Sequence, residues 1–212
     1  MMVRIVVACC LFLGAGAGWA QTGAERINAF LEGVDSLRAD FSQTLYDEEL
    51  NRLEDASGDL FLLRPGRFRW DYVRPYEQAI VSNGETLWMY DSELLQVTVK
   101  TLDTAIENTP TMLLSSSASL EDHFDVSELP SQDDKVWVEL RPKSSDATFS
   151  NIRVRFNAGE LDSMELVDNF GQITHLEFKN IDKNLPLDEE LFQFNPPEGV
   201  DVISDVSGTA TP

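Results

Sequence analysis

The sequence predicts a mainly β protein, an antiparallel meander that curls into a barrel or half barrel. Segments of strand length, in which apolar and polar residues alternate, recur along most of the chain. Short turns separate them, and helical spacing is confined to the beginning and the middle of the sequence. At 212 residues the chain is long enough for one domain, or two small ones, with a substantial core.

Residues 1–20 have the features of an export signal. A short basic start that contains Arg4 precedes an apolar run, and small residues follow where a signal peptidase reads the chain. The run is too short to span a membrane. We expect cleavage after about Ala20, a mature domain over residues 21–204 and a disordered tail over residues 205–212. Both cysteines, Cys9 and Cys10, lie in the leader, so the mature chain is expected to have no disulfide and no thiolate chemistry.

The formal net charge of −21 limits the partners of the chain. Phosphates would be repelled, which argues against nucleic acid. The same repulsion argues against electrostatic adhesion to an anionic membrane surface. Solubility is a sufficient explanation of the charge.

The first elements are a helix and a long strand. Ile27, Phe30, Leu31 and Val34 have helical spacing, and Gly33 is a plausible end for a helix over residues 24–33. Alternation over residues 37–45 predicts the first strand. Residues 47–57 are acidic and without periodicity, and we expect an exposed loop there.

A hairpin is predicted over residues 58–72, with its turn at Arg64, Pro65 and Gly66. In its second arm Phe68, Trp70 and Tyr72 fall on one face, as in a sheet that covers apolar material. Arg64 stands beside this aromatic wall, although arginine is rarely buried unless paired. Two interpretations stay open: a surface arginine on an ordinary hairpin, or a cation at the mouth of an apolar cavity.

The hairpin signal Asn83-Gly84 joins two further strands, and Trp88 and Tyr90 share a face of the second. A strand over residues 93–100 follows. Residues 101–123 then have partly helical spacing, which predicts an apolar helical insertion that covers the sheet or acts as a movable lid. Strand patterns resume over residues 124–129, 136–140, 149–156, 161–167 and 172–178, and the last signals lie over residues 191–194 and 196–203.

The sequence gives no indication of an enzyme. His123 and His175 have no neighbours at ligand spacing, and neither a nucleophile elbow nor a phosphate-binding loop is present. Asp168 and Glu177 could face each other on adjacent strands, but solvated edge charges explain them better. Aromatic residues recur on successive strands, which predicts either a packed core or a ligand cavity inside the sheet: Phe68, Trp70, Tyr72, Trp88, Tyr90, Phe156 and Phe178.

Several runs together resemble the family of outer-membrane lipoprotein carriers, the LolA-type periplasmic chaperones. They cover residues 39–43, 58–61, 64–70, 81–84 with 87–88, 108–110 with 112–113, and 192–194 with 196–200. Each run is a weak signal, but in this order they extend over essentially the whole mature chain.

The resemblance implies an incomplete antiparallel β-barrel of about eleven strands, with an N-terminal helix and a helical lid over an apolar cavity. It implies a periplasmic carrier that takes acylated lipoproteins from an inner-membrane ABC transporter to an outer-membrane receptor, without a cofactor, as a monomer. Arg64 would be the latch that binds the closed lid. Leu31 would belong to the cavity together with the aromatic residues, and the lid would contain Pro110, Met112, Leu113 and Leu114. Thr111 departs from the family, which often has an apolar residue there.

Two other functions compete with transport. A domain of the same fold could sense lipids or lipoproteins and regulate another protein. A small secreted hydrolase is the third possibility, which a panel of ester and glycoside substrates would test.

Overall fold

The computed structural model describes residues 22–102, 120–130, 135–145 and 147–204. The first range holds helix α1 (Gly23–Glu32) and strands β1 (Ser36–Tyr46), β2 (Arg52–Leu63), β3 (Arg67–Arg74), β4 (Gln78–Asn83), β5 (Thr86–Asp91) and β6 (Gln96–Thr101). The other ranges hold a short helix α2 (Leu120–His123), strands β7 (Phe124–Leu129), β8 (Lys135–Pro142), β9 (Phe149–Asn157), β10 (Glu160–Asp168) and β11 (Ile173–Lys183), a 3₁₀ turn (Glu189–Phe192) and strand β12 (Asp201–Ser204).

All the strands join in one 12-stranded sheet, in the order β12-β6-β5-β4-β3-β2-β1-β11-β10-β9-β8-β7. Strand β1 lies near the middle and pairs with both β2 and β11, so two meanders extend from it in opposite directions. Every pair is antiparallel except β12 with β6. Strands β7 and β12 form the two edges, and the sheet stays open. The prediction of a mainly β fold with an open antiparallel sheet is confirmed.

The predicted loop over residues 47–57 is wrong in its second half. Strand β2 begins at Arg52, and Ser57 to Arg52 pair with Ser42 to Tyr46 of β1. The alternation of apolar residues is weak there because this end of the hairpin is largely exposed. Backbone pairing alone extends the strands, and only residues 47–51 remain as a turn.

Helix α1 covers the sheet at β7 and β8, and its sequence fixes both of its ends. Thr22 and Glu25 form a capping box, in which the Thr22 hydroxyl accepts from the Glu25 N–H at 3.3 Å and Glu25 accepts from the Thr22 N–H at 2.8 Å. The Gly33 N–H closes the last turn on the carbonyl of Ala29. The buried side chains of Ile27, Phe30 and Leu31 are the predicted apolar stripe.

The main core lies on one face of the sheet, which we call the inner face. Its buried side chains form a single cluster to which most of the strands contribute. Leu102 and Leu120 are buried in the same cluster, although they stand on either side of residues 103–119, which lie outside the described residues. The described ranges therefore end and resume on the inner face, at Leu102 and at Leu120.

A second, smaller core lies on the outer face, over β3 to β6. Val81, Val97 and Phe192 are fully buried but do not belong to the main cluster. The 3₁₀ turn brings Phe192 onto this face, and the carbonyl of Leu191 accepts a hydrogen bond from Arg69 at 3.3 Å. The 3₁₀ turn thus covers the outer face of the sheet at β3 and β4.

The turns gather at two ends of the sheet because adjacent strands run in opposite directions. The turn from Arg64 to Gly66 lies at one end, together with the turns 84–85 and 158–159. The turns 47–51, 75–77, 92–95 and 169–172 lie at the other end. We call these the Arg64 end and the far end.

Candidate functional site

Four aromatic rings form a wall in the middle of the inner face. The ring of Phe41 lies 4.9 Å from that of Trp70 and 5.0 Å from that of Tyr72, measured between centroids. Phe178 meets Trp70 edge-on at 6.3 Å. Strands β1, β3 and β11 supply these rings, and strand pairing holds them in register. Edge-on and tilted contacts of this kind are favourable between aromatic rings.

A glycine makes room for the wall. Gly58 of β2 stands between Phe41 and Tyr72 in the register of the sheet. A Cβ atom at this position would lie 3.0 Å from Cε1 of Phe41 and 1.8 Å from the backbone oxygen of Asp71. No side chain larger than hydrogen fits there, so only glycine at residue 58 leaves room for the ring of Phe41.

Tyr72 is the polar member of the wall. Its hydroxyl donates to Oε1 of Gln43 at 3.0 Å, and it packs against the main cluster. Burial raises the pKa of Tyr72 to about 12, with a smaller contribution from the carboxylate of Glu54. The phenol is therefore neutral at any physiological pH and remains compatible with an apolar surface.

The second part of the site lies under helix α1. Phe30 of the helix meets Phe156 of β9 edge-on at 5.7 Å, and Leu31 is buried beside them in the main cluster. A cavity of about 270 Å³ opens here, lined in part by Val34 and Gly159. The ammonium of Lys183 stands 5.9 Å over the ring of Phe30. The inner face thus has a small opening where the helix meets the Arg64 end.

Arg64 is half-buried at its turn. Its N–H donates to the carbonyl of Asp35 at 2.9 Å. A Cβ atom at Gly66 would lie 3.2 Å from Cδ2 of Leu102, so the turn and Leu102 are in contact. Burial lowers the pKa of the Arg64 guanidinium, and the charge of Asp35 opposes this shift. Arginine nonetheless stays protonated at neutral pH.

The prediction that Trp88 and Tyr90 line a cavity together with Trp70 is wrong, because both residues lie on the outer face of the sheet. Trp88 stands opposite Val81 and Val99, and Tyr90 stands opposite Ala79 and Val97. These positions belong to the outer face, where the Tyr90 ring meets that of Phe194 at 5.6 Å. On β5 the inner face carries Leu87 and Met89 instead.

The remaining predicted residues separate into three groups. Leu31, Phe68, Trp70, Phe156 and Phe178 are buried on the inner face, where Tyr72 is partly buried. Arg64 lies at its margin. The proposed lid residues Pro110, Met112, Leu113 and Leu114, together with Thr111, lie outside the described residues.

The polar residues that were considered for chemistry do not form a reactive site. Glu177 stands opposite Ser42 and Ser163, whereas Asp168 is the last residue of β10 and stands opposite Phe149, so the two carboxylates do not face each other. His175 lies 3.4 Å from Glu165, and this contact is the main reason why the pKa of Glu165 is lowered. In the described part of the chain no group of three or more histidine, cysteine or acidic side chains could hold a metal ion.

Phe41 and Phe30 are the functional candidates that reasoning from the sequence did not place in the site. The alternation around Phe41 was visible, but nothing showed that it faces Trp70. The helical spacing of Phe30 was also visible, but its partner Phe156 is far away in sequence.

Most of the chain matches one known protein family. The family model described as "Outer membrane lipoprotein carrier protein LolA" matches residues 32–195. The chain belongs to the LolA family. Its LolA relatives include proteins named outer-membrane lipoprotein carrier protein from two bacteria. The relative from Methylococcus capsulatus is 40% identical over 201 residues, covering 95% of this chain and 97% of the relative. That from Nitrosospira multiformis is 45% identical over 185 residues, covering 87% of this chain and 89% of the relative.

The fold of this LolA-family chain also occurs in a solved structure of an uncharacterized conserved protein from Thermus thermophilus. The TM-score is 0.54 at 12% identity, and the match covers 85% of this chain and 97% of the other. This likeness concerns the fold alone. Neither helix in the described ranges has the length and apolar character that a bilayer-spanning helix requires.

Proposed function

We propose that this LolA-family chain is a periplasmic chaperone that carries acylated lipoproteins from the inner to the outer membrane. The observation that carries the proposal is the continuous apolar inner face of an open sheet, on which the main hydrophobic cluster lies. The names of the LolA relatives support the same function. On this proposal the chain receives its cargo from an inner-membrane ABC transporter and passes it to an outer-membrane receptor.

An apolar carrier is needed because acyl chains resist transfer through water. Each buried methylene contributes about 0.8 kcal/mol of membrane affinity, so a triacylated protein does not leave a bilayer unaided. Phe41, Trp70 and Phe178 are buried in the main cluster, and displacement of the groups that cover them would expose an apolar surface for such chains. This surface has no charged side chain among those rings, and its one hydroxyl, that of Tyr72, is already bonded to Gln43.

Release of the cargo requires a means of opening the carrier. We infer that Arg64 binds carbonyl groups of residues 103–119 when the carrier is empty and loses these bonds when acyl chains displace that segment. Hydrogen bonds to a charged donor contribute about 1.5–3 kcal/mol each, enough to bias an equilibrium between closed and open states. The contact between Gly66 and Leu102 supports this role because it keeps the arginine beside the start of the segment.

The test is mass spectrometry of the protein recovered from periplasm under non-denaturing conditions. We expect bound triacylated protein, and an N-terminus at about residue 21. The matched control is the chain that starts at residue 21 and is made in the cytoplasm, which should carry no such cargo. The exported protein is also incubated with inner-membrane vesicles and ATP, which should load it with cargo. Recovery of the protein without any acylated protein after this step would contradict the proposal.

A further inference from the structure

Exposed apolar side chains are concentrated at the far end of the sheet. Apart from two residues on edge strand β12, the exposed large hydrophobic side chains of the described residues all lie in or beside its turns. Phe170 is 83% exposed, Leu94 69% and Leu50 66%. We call the whole set the apolar rim: Leu50, Leu53, Val73, Tyr76, Leu94, Leu95 and Phe170. Single exposed apolar residues are normal, but a concentration at one end of a soluble domain indicates an interaction surface.

The turns of the apolar rim are held by the same device in three places. The carboxylate of Asp47 accepts from the N–H groups of Glu49 and Asn51 at 3.0 and 2.8 Å. That of Asp91 accepts from two N–H groups in its turn, including Leu94 at 3.0 Å. That of Asp168 does the same, including Phe170 at 2.8 Å. The apolar side chains are therefore presented by ordered turns.

Two of the leucines have a backbone conformation that does not suit them. Leu50 has φ 66° and Leu95 has φ 49°, in the left-handed region that glycine and asparagine occupy more easily. Both side chains are also more than half exposed. Leucine is therefore unfavourable at each position for two separate reasons. Its backbone is strained, and its apolar side chain is exposed to water. A leucine that is unfavourable on both grounds is best explained by a contact outside the folded chain.

The four turns form two contacting pairs at the far end of the sheet. A Cβ atom at Gly171 would lie 3.3 Å from the Cβ of Glu48, so the turns that carry Phe170 and Leu50 are in contact. The N–H of Ser92 donates to the carbonyl of Glu77 at 3.2 Å, which joins the turns of Leu94 and Tyr76. The order of the strands places these two pairs at the same end of the sheet. The apolar rim thus consists of two pairs of contacting turns.

Carboxylates surround the apolar rim and outnumber the cations. The exposed acids in and beside the turns are Glu48, Glu49, Glu54, Asp55, Glu77 and Glu93, against Arg52 and Arg74. An anionic membrane would be repelled by such a surface. A second copy of the chain would be repelled as well, because it would bring the same carboxylates. The charge fits a partner surface that is basic around an apolar centre.

We propose that the apolar rim is the docking surface for a membrane-anchored protein whose contact surface is apolar at its centre and basic at its margin. That the partner is membrane-anchored rests on the proposed carrier function; the chemistry of the contact rests on the rim alone. The rim lies at the end of the sheet opposite Arg64 and Leu102. Docking there leaves the site of the proposed latch uncovered.

The test measures binding of the purified full-length mature chain to membrane vesicles by sedimentation. The probes are native inner- and outer-membrane vesicles from the same bacterium, the same vesicles after protease treatment, and protein-free vesicles of the extracted lipids. The rim variants are Leu50→Asn with Leu95→Asn, and Phe170→Ser. The matched controls are Val202→Asn and Ile203→Asn, whose side chains are exposed to a similar degree, 53% and 49%, but stand on edge strand β12.

We expect the wild type and both controls to bind one class of native vesicle. The rim variants should bind the same vesicles with an affinity lower by a factor of about 10 or more. Binding should fall steeply as salt rises to about 0.5 M and disappear after protease treatment. Denaturant midpoints of the leucine variants should stay equal or rise, because asparagine suits the left-handed turn positions.

Equal binding by rim variants and wild type would overturn the proposal. So would binding to protein-free vesicles at the native level, which indicates a lipid contact, or dimerisation of the wild type that the rim variants abolish. Mass spectrometry of the bound cargo tests the proposed function independently of the docking surface. A carrier without acylated cargo that still binds vesicles through the rim contradicts the function and leaves the docking surface standing.

Discussion

Leu102 lies against Gly66, which places this buried leucine directly beside the turn that holds Arg64. The turn itself is fixed from the other side, where the N–H of Arg64 donates to the carbonyl of Asp35. Hydrogen bonds anchor neighbouring positions too, since the hydroxyl of Ser82 donates to the carbonyl of Gly66 at 2.9 Å. The guanidinium is therefore presented from an anchored turn rather than from a loose loop.

Arg64→Leu should accept cargo normally and release it slowly. Without the charged donor the closed state loses hydrogen bonds, and displacement of the segment by acyl chains is no longer opposed. We expect transfer to acceptor membranes to slow by about 10-fold or more. The measurement is the rate at which loaded carrier loses labelled lipoprotein to outer-membrane vesicles.

Arg38→Leu is the matched control for this experiment. Arg38 is a half-exposed cation 3.7 Å from Asp59, and such a surface pair contributes little. Its variant should transfer at the wild-type rate. If Arg64→Leu transfers as fast as Arg38→Leu, Arg64 is not a latch.

Gly58→Ala should be strongly destabilising. The added methyl group would stand 1.8 Å from a backbone oxygen and against Phe41, so strands β2 and β3 must separate. We expect a loss of about 3 kcal/mol or more in the free energy of unfolding, measured by urea denaturation.

Gly159→Ala shows what strain without a clash costs. Gly159 has φ +84° with nothing within 4 Å of the added methyl group, so only the left-handed backbone opposes alanine, at about 1–2 kcal/mol. An equal loss for the two variants would mean that the sheet adapts to a side chain at residue 58.

Tyr72 predicts a specific loss of stability in alkali. Its folded-state pKa is about 12, above the ordinary value of 10.0, because burial opposes the phenolate. The stabilisation is therefore complete below pH 10 and is lost as the pH rises from about 10 through 12. The rise of the pKa from 10.0 to about 12 corresponds to about 2–3 kcal/mol.

Tyr72→Phe isolates this effect from the other groups that titrate in alkali. The difference in unfolding free energy between wild type and variant should change across that pH range and stay constant below it. Absorbance of the phenolate gives a second measurement. A tyrosine at residue 72 that titrates near 10 in the folded protein would contradict the prediction.

Trp70 and Trp88 should differ in their access to acyl chains. Trp70 belongs to the inner face and Trp88 to the outer face, so a brominated fatty acid bound inside the sheet should quench only the first. Two variants are needed, each with Trp70 or Trp88 as its only mature tryptophan and phenylalanine at the other positions. Quenching of Trp88 equal to that of Trp70 would show that the two residues contact the same ligand.

Local pattern was enough to predict most of the elements. The stripe of Ile27, Phe30 and Leu31 indicated helix α1, and Asn83-Gly84 indicated the β4–β5 hairpin, because both signals come from residues close in sequence. Strand β2 was predicted too short because its first residues are exposed, and exposed strands lack the alternation that a buried face imposes. Motifs spread over the whole chain were enough to predict the LolA family.

The sequence by itself determined the spacing of aromatic residues along each strand, and hence which of them share a face within that strand. It could not determine whether Trp88 faces the same way as Trp70, since a period of two leaves the choice between faces open. Register across β3, β4 and β5 decided that question, by placing Met89 opposite Ile80 and Trp88 opposite Val81. The same long-range pairing brought Phe41 to Trp70 and gathered the four turns of the apolar rim at one end of the sheet. These relationships depend on which strands are neighbours, and that is a property of the folded chain as a whole.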